Sequence, residues 1–249
     1  MVPAGAAIAA YINARHSLSY DQNLLAAITP SAITLLLRNY RGRLSLYYQF
    51  EYLATSKTSA NRAFLKFEDK SYTYAQAYDN VLRYGNWLKT RRGVKKGEIV
   101  GLDFQNCDSF VFLILALWSL GAQPALINYN LSGKALIHCV KRASARLMLV
   151  DPVVIGNVGE DVRHELPETS FEAFTSELIA EAMTIEPVRQ PDEVRSDLKM
   201  DDMAMLIYTS GTTGLPKAAI VSWAKLSIAG LFTTRWIGTK SSDVFYTVS

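Results

Sequence analysis

A layered α/β domain built on a parallel sheet is the fold this sequence predicts, and three observations predict it. Apolar, β-branched runs alternate with helical periodicities from about residue 72 onward. The turns between them are short and marked by glycine or asparagine. One helix that is apolar on all sides, too short to cross a membrane, sits between two of the strands. The 249 residues are 49% hydrophobic and 20% charged, enough apolar side chain to bury a core. The 26 basic and 23 acidic residues are interspersed, leaving a formal charge of +3, so no large field points to nucleic acid. Acidic ligands must therefore be sought in local motifs.

The elements follow in order. Thr73 and Gln76 make a capping box, and the helix they open carries Tyr74, Ala77, Tyr78, Val81, Leu82 and Leu88 on one face before Gly93 ends it. Residues 98–104 read as a strand. Lys95 and Lys96, with Arg91 and Arg92 nearby, offer a weak phosphate site, but charges flanking a glycine are ordinary surface chemistry and a solvated turn is the expectation. Asp108 is expected to cap the apolar helix 110–120, which stops at Gly121. A strand over 125–129, an amphipathic helix over 132–143 capped by Ser132, and a strand over 146–150 complete two strand–helix–strand units, whose connection implies a parallel sheet with right-handed crossovers. Residues 151–199 hold four prolines, several acids and a candidate helix over 171–183, and read as a surface excursion before the core resumes.

The amino-terminal region is apolar twice, over residues 2–12 and again over 24–37, where Pro30 interrupts the run. A spanning helix needs roughly 20 apolar residues, which neither run supplies alone. Arg38, Arg41 and Arg43 follow the second run, and an apolar helix with a basic edge suits the headgroup layer of an anionic membrane. A helix packed on the protein body fits equally well, and both readings stay open. The first run lacks a basic leader, so no cleavable signal is expected. Cys107 and Cys139 each lie in apolar surroundings and read as buried free thiols of a reducing compartment. Neither they nor His16, His138 and His164 show ligand spacing, and no metal cluster is expected.

Chemistry concentrates in Tyr208-Thr-Ser-Gly-Thr-Thr-Gly-Leu-Pro-Lys217, directly after an apolar strand. Gly211 and Gly214 let backbone N–H groups turn towards an anion without a Cβ in the way. Thr209, Ser210, Thr212 and Thr213 add hydroxyl donors, and Lys217 adds a positive charge. A Walker-type loop is excluded by spacing: two residues, not four, separate the glycines, Pro216 precedes the lysine, and Ile220-Val221 suggest a strand where that motif needs a helix. A kinase glycine loop is excluded because Gly-x-Gly-x-x-Gly is absent.

This loop, including Tyr208, Leu215 and Pro216, closely resembles the signature of the adenylate-forming enzymes: acyl-CoA synthetases, luciferases and peptide-synthetase adenylation domains. Phe110-Val-Phe-Leu, Leu117-Trp-Ser-Leu-Gly-Ala-Gln-Pro-Ala-Leu-Ile-Asn-Tyr-Asn130 and Ala219-Ile-Val-Ser-Trp223 are similar to the fatty-acid transport proteins, the very-long-chain acyl-CoA synthetases. Most acyl-CoA synthetases carry Thr-His after the loop lysine; Ser222-Trp223 resembles the fungal transport-protein branch instead. The resemblance runs from about Tyr72 to Val248, while the first 50 or so residues match only in being apolar and membrane-facing.

The resemblance implies that ATP and a long- or very-long-chain fatty acid give an acyl-adenylate and pyrophosphate, that CoA thiol then displaces AMP, and that Mg²⁺ attends the triphosphate. It implies that Ser210, Gly211, Thr212, Thr213 and Gly214 wrap the phosphates, that Lys217 steadies the departing pyrophosphate, and that Thr209 or Thr212 lies near the metal. The family's adenine-binding Tyr-Gly-x-Thr-Glu stretch with its metal-ligating Glu, its ribose-binding Asp, its hinge and its carboxy-terminal domain with the catalytic Lys have no counterpart through Ser249. No catalytic residue is therefore assigned. The expected organisation is an apolar amino-terminal region over 1–50 and an incomplete AMP-binding amino-terminal domain over 51–249. The expected function is fatty-acid activation linked to uptake, completed by a further segment, a complementing chain or a homo-oligomer. The alternatives are a non-catalytic lipid-transport component and a vestigial fragment. Expected partners are a fatty acid and an intracellular membrane surface: endoplasmic reticulum, peroxisome, lipid droplet or plasma membrane.

Overall fold

The computed structural model describes residues 4–209 and 214–247. Three helices lead the chain: α1 (Ala4–His16), α2 (Leu18–Tyr40) and α3 (Leu46–Thr55). Pro30 does not break α2, although its ring forfeits one helical hydrogen bond. Ser31 Oγ and Thr34 Oγ1 donate back to the carbonyls of Ala27 and Pro30, each at 2.7 Å, and the helix runs on. Among the described residues no helix is long and apolar enough to cross a membrane.

A small antiparallel hairpin, β1 (Ala63–Phe67) and β2 (Lys70–Thr73), precedes α4 (Tyr74–Arg91); the sequence reading did not anticipate it. The predicted capping box opens α4, with Gln76 N donating to Thr73 Oγ1 at 3.2 Å and Thr73 N donating to Gln76 Oε1 at 2.9 Å. Then come β3 (Ile99–Asp103), α5 (Asp108–Ser119), β4 (Gln123–Ile127), α6 (Gly133–Ala143) and β5 (Leu147–Val150). One expected cap is corrected. The side chain of Cys107, not Asp108, accepts from Phe110 N, because the Asp108 carboxylate is held by Lys70 Nζ at 3.1 Å and Tyr72 Oη at 2.5 Å. Ser132 stands at the start of α6 as expected but makes no side-chain capping bond.

The excursion after β5 is a second correction. It holds α7 (Glu160–Glu165), an unforeseen strand β6 (Ser170–Ala173) and α8 (Ser176–Met183), so the first residues of the helix expected over 171–183 are strand. The β6 strand pairs in parallel with β5, an edge position that its single polar-flanked run did not announce. The chain then returns as β7 (Met203–Thr209), β8 (Lys217–Ser222) and α9 (Trp223–Trp236). The main sheet has the order β6-β5-β3-β4-β7-β8, parallel except for the final antiparallel pair.

Apolar layers cover both faces. On one side Trp87 and Leu88 of α4 and Leu113 and Leu117 of α5 pack on Leu102 and Leu149. On the other, Leu136 and Val140 of α6 and Val162 of α7 pack on Met148, Val150 and Leu206. Each such side chain taken fully from water contributes about 1.5–3 kcal/mol.

The return from α8 to β7 is fixed by Arg195, a fully buried guanidinium. It donates to the carbonyls of Ser119 at 2.7 Å, Gln190 at 3.2 Å and Pro191 at 3.4 Å, reaches Asp192 Oδ1 at 3.2 Å, and lies over the rings of Tyr47 and Tyr48 at 4.6 and 5.0 Å. Gly121, at φ 71°, completes the joint: a Cβ there would overlap the Val194 carbonyl oxygen. Arg195→Met is expected to cost about 3 kcal/mol, because several buried carbonyls lose a charged donor at once. Urea unfolding checks this as a lower midpoint at unchanged slope; a variant as stable as the parent contradicts the clamp.

Candidate functional site

The site stands at the carboxyl ends of the parallel strands, where open α/β sheets place their ligands. β7 is held in place along its length. It pairs with β4 through Ala125↔Leu206 and Leu126↔Ile207, and Trp118 Nε1 donates to the Ala204 carbonyl at 2.8 Å. Trp118 also packs against Trp223 with ring centroids 5.3 Å apart, which ties α5 to the start of α9. At the other end of β8, Ser222 Oγ accepts from Lys225 N at 3.3 Å and caps α9.

The predicted loop is the turn of the β7–β8 hairpin. Thr209 and Lys217 face each other in register as its last pair, both exposed. Gly214 has φ 82°, the left-handed region that favours glycine, and among the described residues nothing stands within 4 Å of where a Cβ would be. Leu215 is exposed and Pro216 half-buried on the return. Ser210, Gly211, Thr212 and Thr213 lie outside the described residues.

Tyr208 departs from the rest of the motif. Its ring turns into the layer beneath α6, and its hydroxyl donates to the Cys139 carbonyl at 2.6 Å. Burial pushes that hydroxyl well above the ordinary tyrosine range. The residue therefore anchors the hairpin to α6, with its donor already spent. Lys217 is the charged group that the hairpin presents to solvent.

Of the weaker basic site, Lys96, Arg91 and Arg92 are taken up in ion pairs, Arg91 with Glu181 at 3.8 Å, and Lys95 is not; Arg146 packs alongside. Lys96 pairs with Asp197 at 2.6 Å, Arg92 pairs with Glu172 at 2.6 Å while lying over Trp87, and Arg146 pairs with Glu98 at 2.8 Å. Among the described residues no group of His, Cys, Asp or Glu is placed to hold a metal ion. Cys139 is buried and Cys107 half-buried, both free thiols. Burial first, and Asp103 second, push Cys139 up to about 11.

Asp103 was not singled out in the sequence, although an acid inside an apolar strand was a readable signal. It ends β3, is fully buried, and neither carboxylate oxygen has a hydrogen-bond partner. Burial, and then the neighbouring Asp151, raise it to about 7. The folded chain thus keeps a proton that the unfolded chain releases at about pH 4. Its contribution to stability is fully present below about pH 4, is lost as pH rises towards 7, and is level beyond.

Three comparisons describe relatives of this arrangement. A family model for AMP-binding enzymes matches residues 53–249. The very long-chain fatty acid transport protein of Cochliobolus heterostrophus is 32% identical over 97% of this chain and 38% of its own length. The protein of the same description from Saccharomyces cerevisiae is 37% identical over 72% of this chain and 28% of its own. This chain thus spans well under half the length of either relative. Among solved structures, o-succinylbenzoate CoA synthetase from Bacillus subtilis, bound to its acyl-adenylate intermediate, superposes with a TM-score of 0.63 at 22% identity, over 79% of this chain and 47% of its own. The amino-terminal subdomain of NpsA from Klebsiella oxytoca gives 0.57 at 20% identity, over 74% of this chain and 43% of its own. These likenesses establish the fold as that of the amino-terminal part of adenylate-forming enzymes.

Asp103→Asn is expected to flatten the dependence of stability on pH between about 5 and 7, with a ceiling of about 4 kcal/mol on the effect. Urea unfolding of parent and variant across that range reads it. A difference between the two that does not change with pH contradicts the buried neutral acid.

Proposed function

The chain belongs to the AMP-binding enzyme family, and from that premise we propose that its β7–β8 hairpin holds the triphosphate of ATP while a fatty-acid carboxylate is activated. The observation that carries this reading is the pairing of Thr209 with Lys217 at the mouth of the glycine- and hydroxyl-rich turn. An exposed cation is thereby fixed by a strand register at the carboxyl edge of the sheet, not left on a free loop. A fatty-acid oxygen attacks the α-phosphate, the bond from that phosphorus to the bridging oxygen breaks, and pyrophosphate leaves with the electron pair. The thiol of CoA then attacks the acyl carbonyl, AMP departs, and the thiol proton passes to solvent.

Within this scheme Lys217 neutralises charge that builds on the departing pyrophosphate, which is where a preorganised cation lowers a barrier. Gly214 leaves the backbone free of a side chain where the phosphates approach. Tyr208 keeps the hairpin at a set height above α6. A divalent cation would find its oxygen ligands largely on the triphosphate itself. No described cluster of protein ligands is placed to hold one, and no step is assigned to it. The substrate class, a long or very long acyl chain, is supported by the descriptions of the fungal relatives.

The test is pyrophosphate–ATP exchange that depends on added fatty acid. In the longest protein that contains this chain, Lys217→Ala is expected to lower exchange by about 100-fold or more, the usual effect of removing one charge-stabilising donor. The 249-residue polypeptide by itself carries the hairpin but no Tyr-Gly-x-Thr-Glu stretch. It is expected to bind nucleotide weakly and to show no exchange. Robust exchange from it, abolished by Lys217→Ala, overturns that division.

A second reading concerns the amino-terminal helices. The face of α2 turned away from the body carries Leu25, Ile33, Leu36 and Tyr40, 51–89% exposed. Arg41, exposed on the turn that ends α2, follows it. An apolar stripe with a basic edge supports a helix lying flat in the headgroup layer. Leu25→Glu with Leu36→Glu, both on the outer face, is expected to abolish flotation with vesicles containing about 30% anionic lipid, a composition at which basic amphipathic helices bind readily. Unchanged flotation refutes it.

A further inference from the structure

The inner face of α2 brings two guanidiniums together with only neutral partners. Arg235, on the last turn of α9, donates to Ser31 Oγ at 2.8 Å, to Thr34 Oγ1 at 3.2 Å and to the Leu231 carbonyl at 3.4 Å. Arg38, one helical turn beyond Thr34 and so about 6 Å further along the axis, donates to Gln49 Oε1 at 2.9 Å. All of these partners are neutral. Among the described residues neither guanidinium meets a carboxylate; Arg15, Arg41, Arg62, Arg142 and Arg163 meet none either, but Arg38 and Arg235 face one another across the junction of α2 and α9. The two cations also work against each other: burial, and then Arg235, pull the Arg38 guanidinium below its ordinary range.

The surroundings add the complementary half. An open cleft of about 530 Å³ is lined by Arg235 and Trp236 on one side and by Asn23, Ala26 and Ala27 on the other. Tyr20 meets the Trp236 ring edge-on at 5.5 Å, and Phe232 stacks on it at 5.6 Å. Two unneutralised guanidiniums at the junction of two helices, beside an aromatic-edged cleft and under an apolar outer face, match the chemistry of an anionic amphiphile.

We propose that Arg235 and Arg38 form a binding site for the phosphate headgroup of an anionic membrane lipid, so that α9 and α2 together make up the membrane-facing surface. This deepens the flat-lying reading of α2 and rests on it. What it adds is a discrete site, built in part by a helix that follows the β7–β8 hairpin. Seating a headgroup there would link the membrane to the element capped by the end of β8.

The experiment is partitioning of the protein onto phosphatidylcholine vesicles with and without phosphatidic acid, at fixed salt. A basic residue that acts only through the diffuse surface potential weakens partitioning about five-fold when removed. Arg41→Gln, on the exposed turn after α2, serves as that reference. Arg235→Gln is expected to weaken binding to the acidic vesicles by more than about ten-fold, as loss of a direct charge-assisted bond requires, and to leave binding to phosphatidylcholine alone unchanged. Thr34→Val, which changes no charge, is expected to weaken it as well. Equal losses for Arg235→Gln and Arg41→Gln, with no effect of Thr34→Val, overturn the site while leaving the flat-lying helix intact. Failure of the parent protein to bind either vesicle overturns both. Inorganic phosphate at millimolar concentration should not displace the vesicles; displacement would assign the site to free phosphate and overturn the lipid.

Discussion

The parallel pairing of β7 with β4 is the interaction on which the rest of this structure depends. The strand that leads into the signature loop reaches its partner only after an excursion of about fifty residues, and a parallel neighbour offers no tight turn to guide it. Register must therefore be imposed from outside the ladder. Arg195 does so by tying the returning chain to the end of α5, and the Trp118 indole does so by donating to the β7 backbone itself. Both devices act through α5, the most apolar helix of the chain, which makes that helix the rigid reference for the site.

Charge is used in three distinct ways. At the surface, Lys96 and Arg146 meet acids at short range, and such exposed pairs contribute little to stability. In the interior, Arg195 is balanced by carbonyl dipoles, two aromatic rings and the half-buried carboxylate of Asp192. Asp103 has no hydrogen-bond partner for its carboxyl oxygens and, below about pH 7, avoids burying a charge by keeping its proton. Arg38 and Arg235 fall outside all three patterns, since they have only neutral partners and repel one another.

The α2 helix shows how one element serves two surfaces. Its inner side packs Ala27, Ser31 and Leu35 against the body, and its outer side is apolar as well. An amphipathic helix turned towards water would carry charge on that outer side. The apolar run left two readings open in the sequence, a helix packed on the protein and one lying against lipid; α2 packs one side on the body and leaves an apolar side exposed.

The sequence by itself determined the local chemistry: the capping box of α4, the alternation of strands and helices, the exclusion of a Walker loop by glycine spacing, and the family signature carried by the β7–β8 hairpin. Each of these rests on residues close together in the chain, where side-chain type and spacing suffice. Tertiary structure alone decided what depends on distant partners. Asp108 yields the α5 cap to Cys107 because Lys70 and Tyr72, on another hairpin, claim its carboxylate. The segment at 170–173 becomes a strand because β5 offers it a free edge. Tyr208, within the signature itself, is an anchor because the Cys139 carbonyl lies within reach of its hydroxyl. In each case the deciding atom lies more than thirty residues away or on an edge that exists only once the sheet has formed, and no local pattern encodes it.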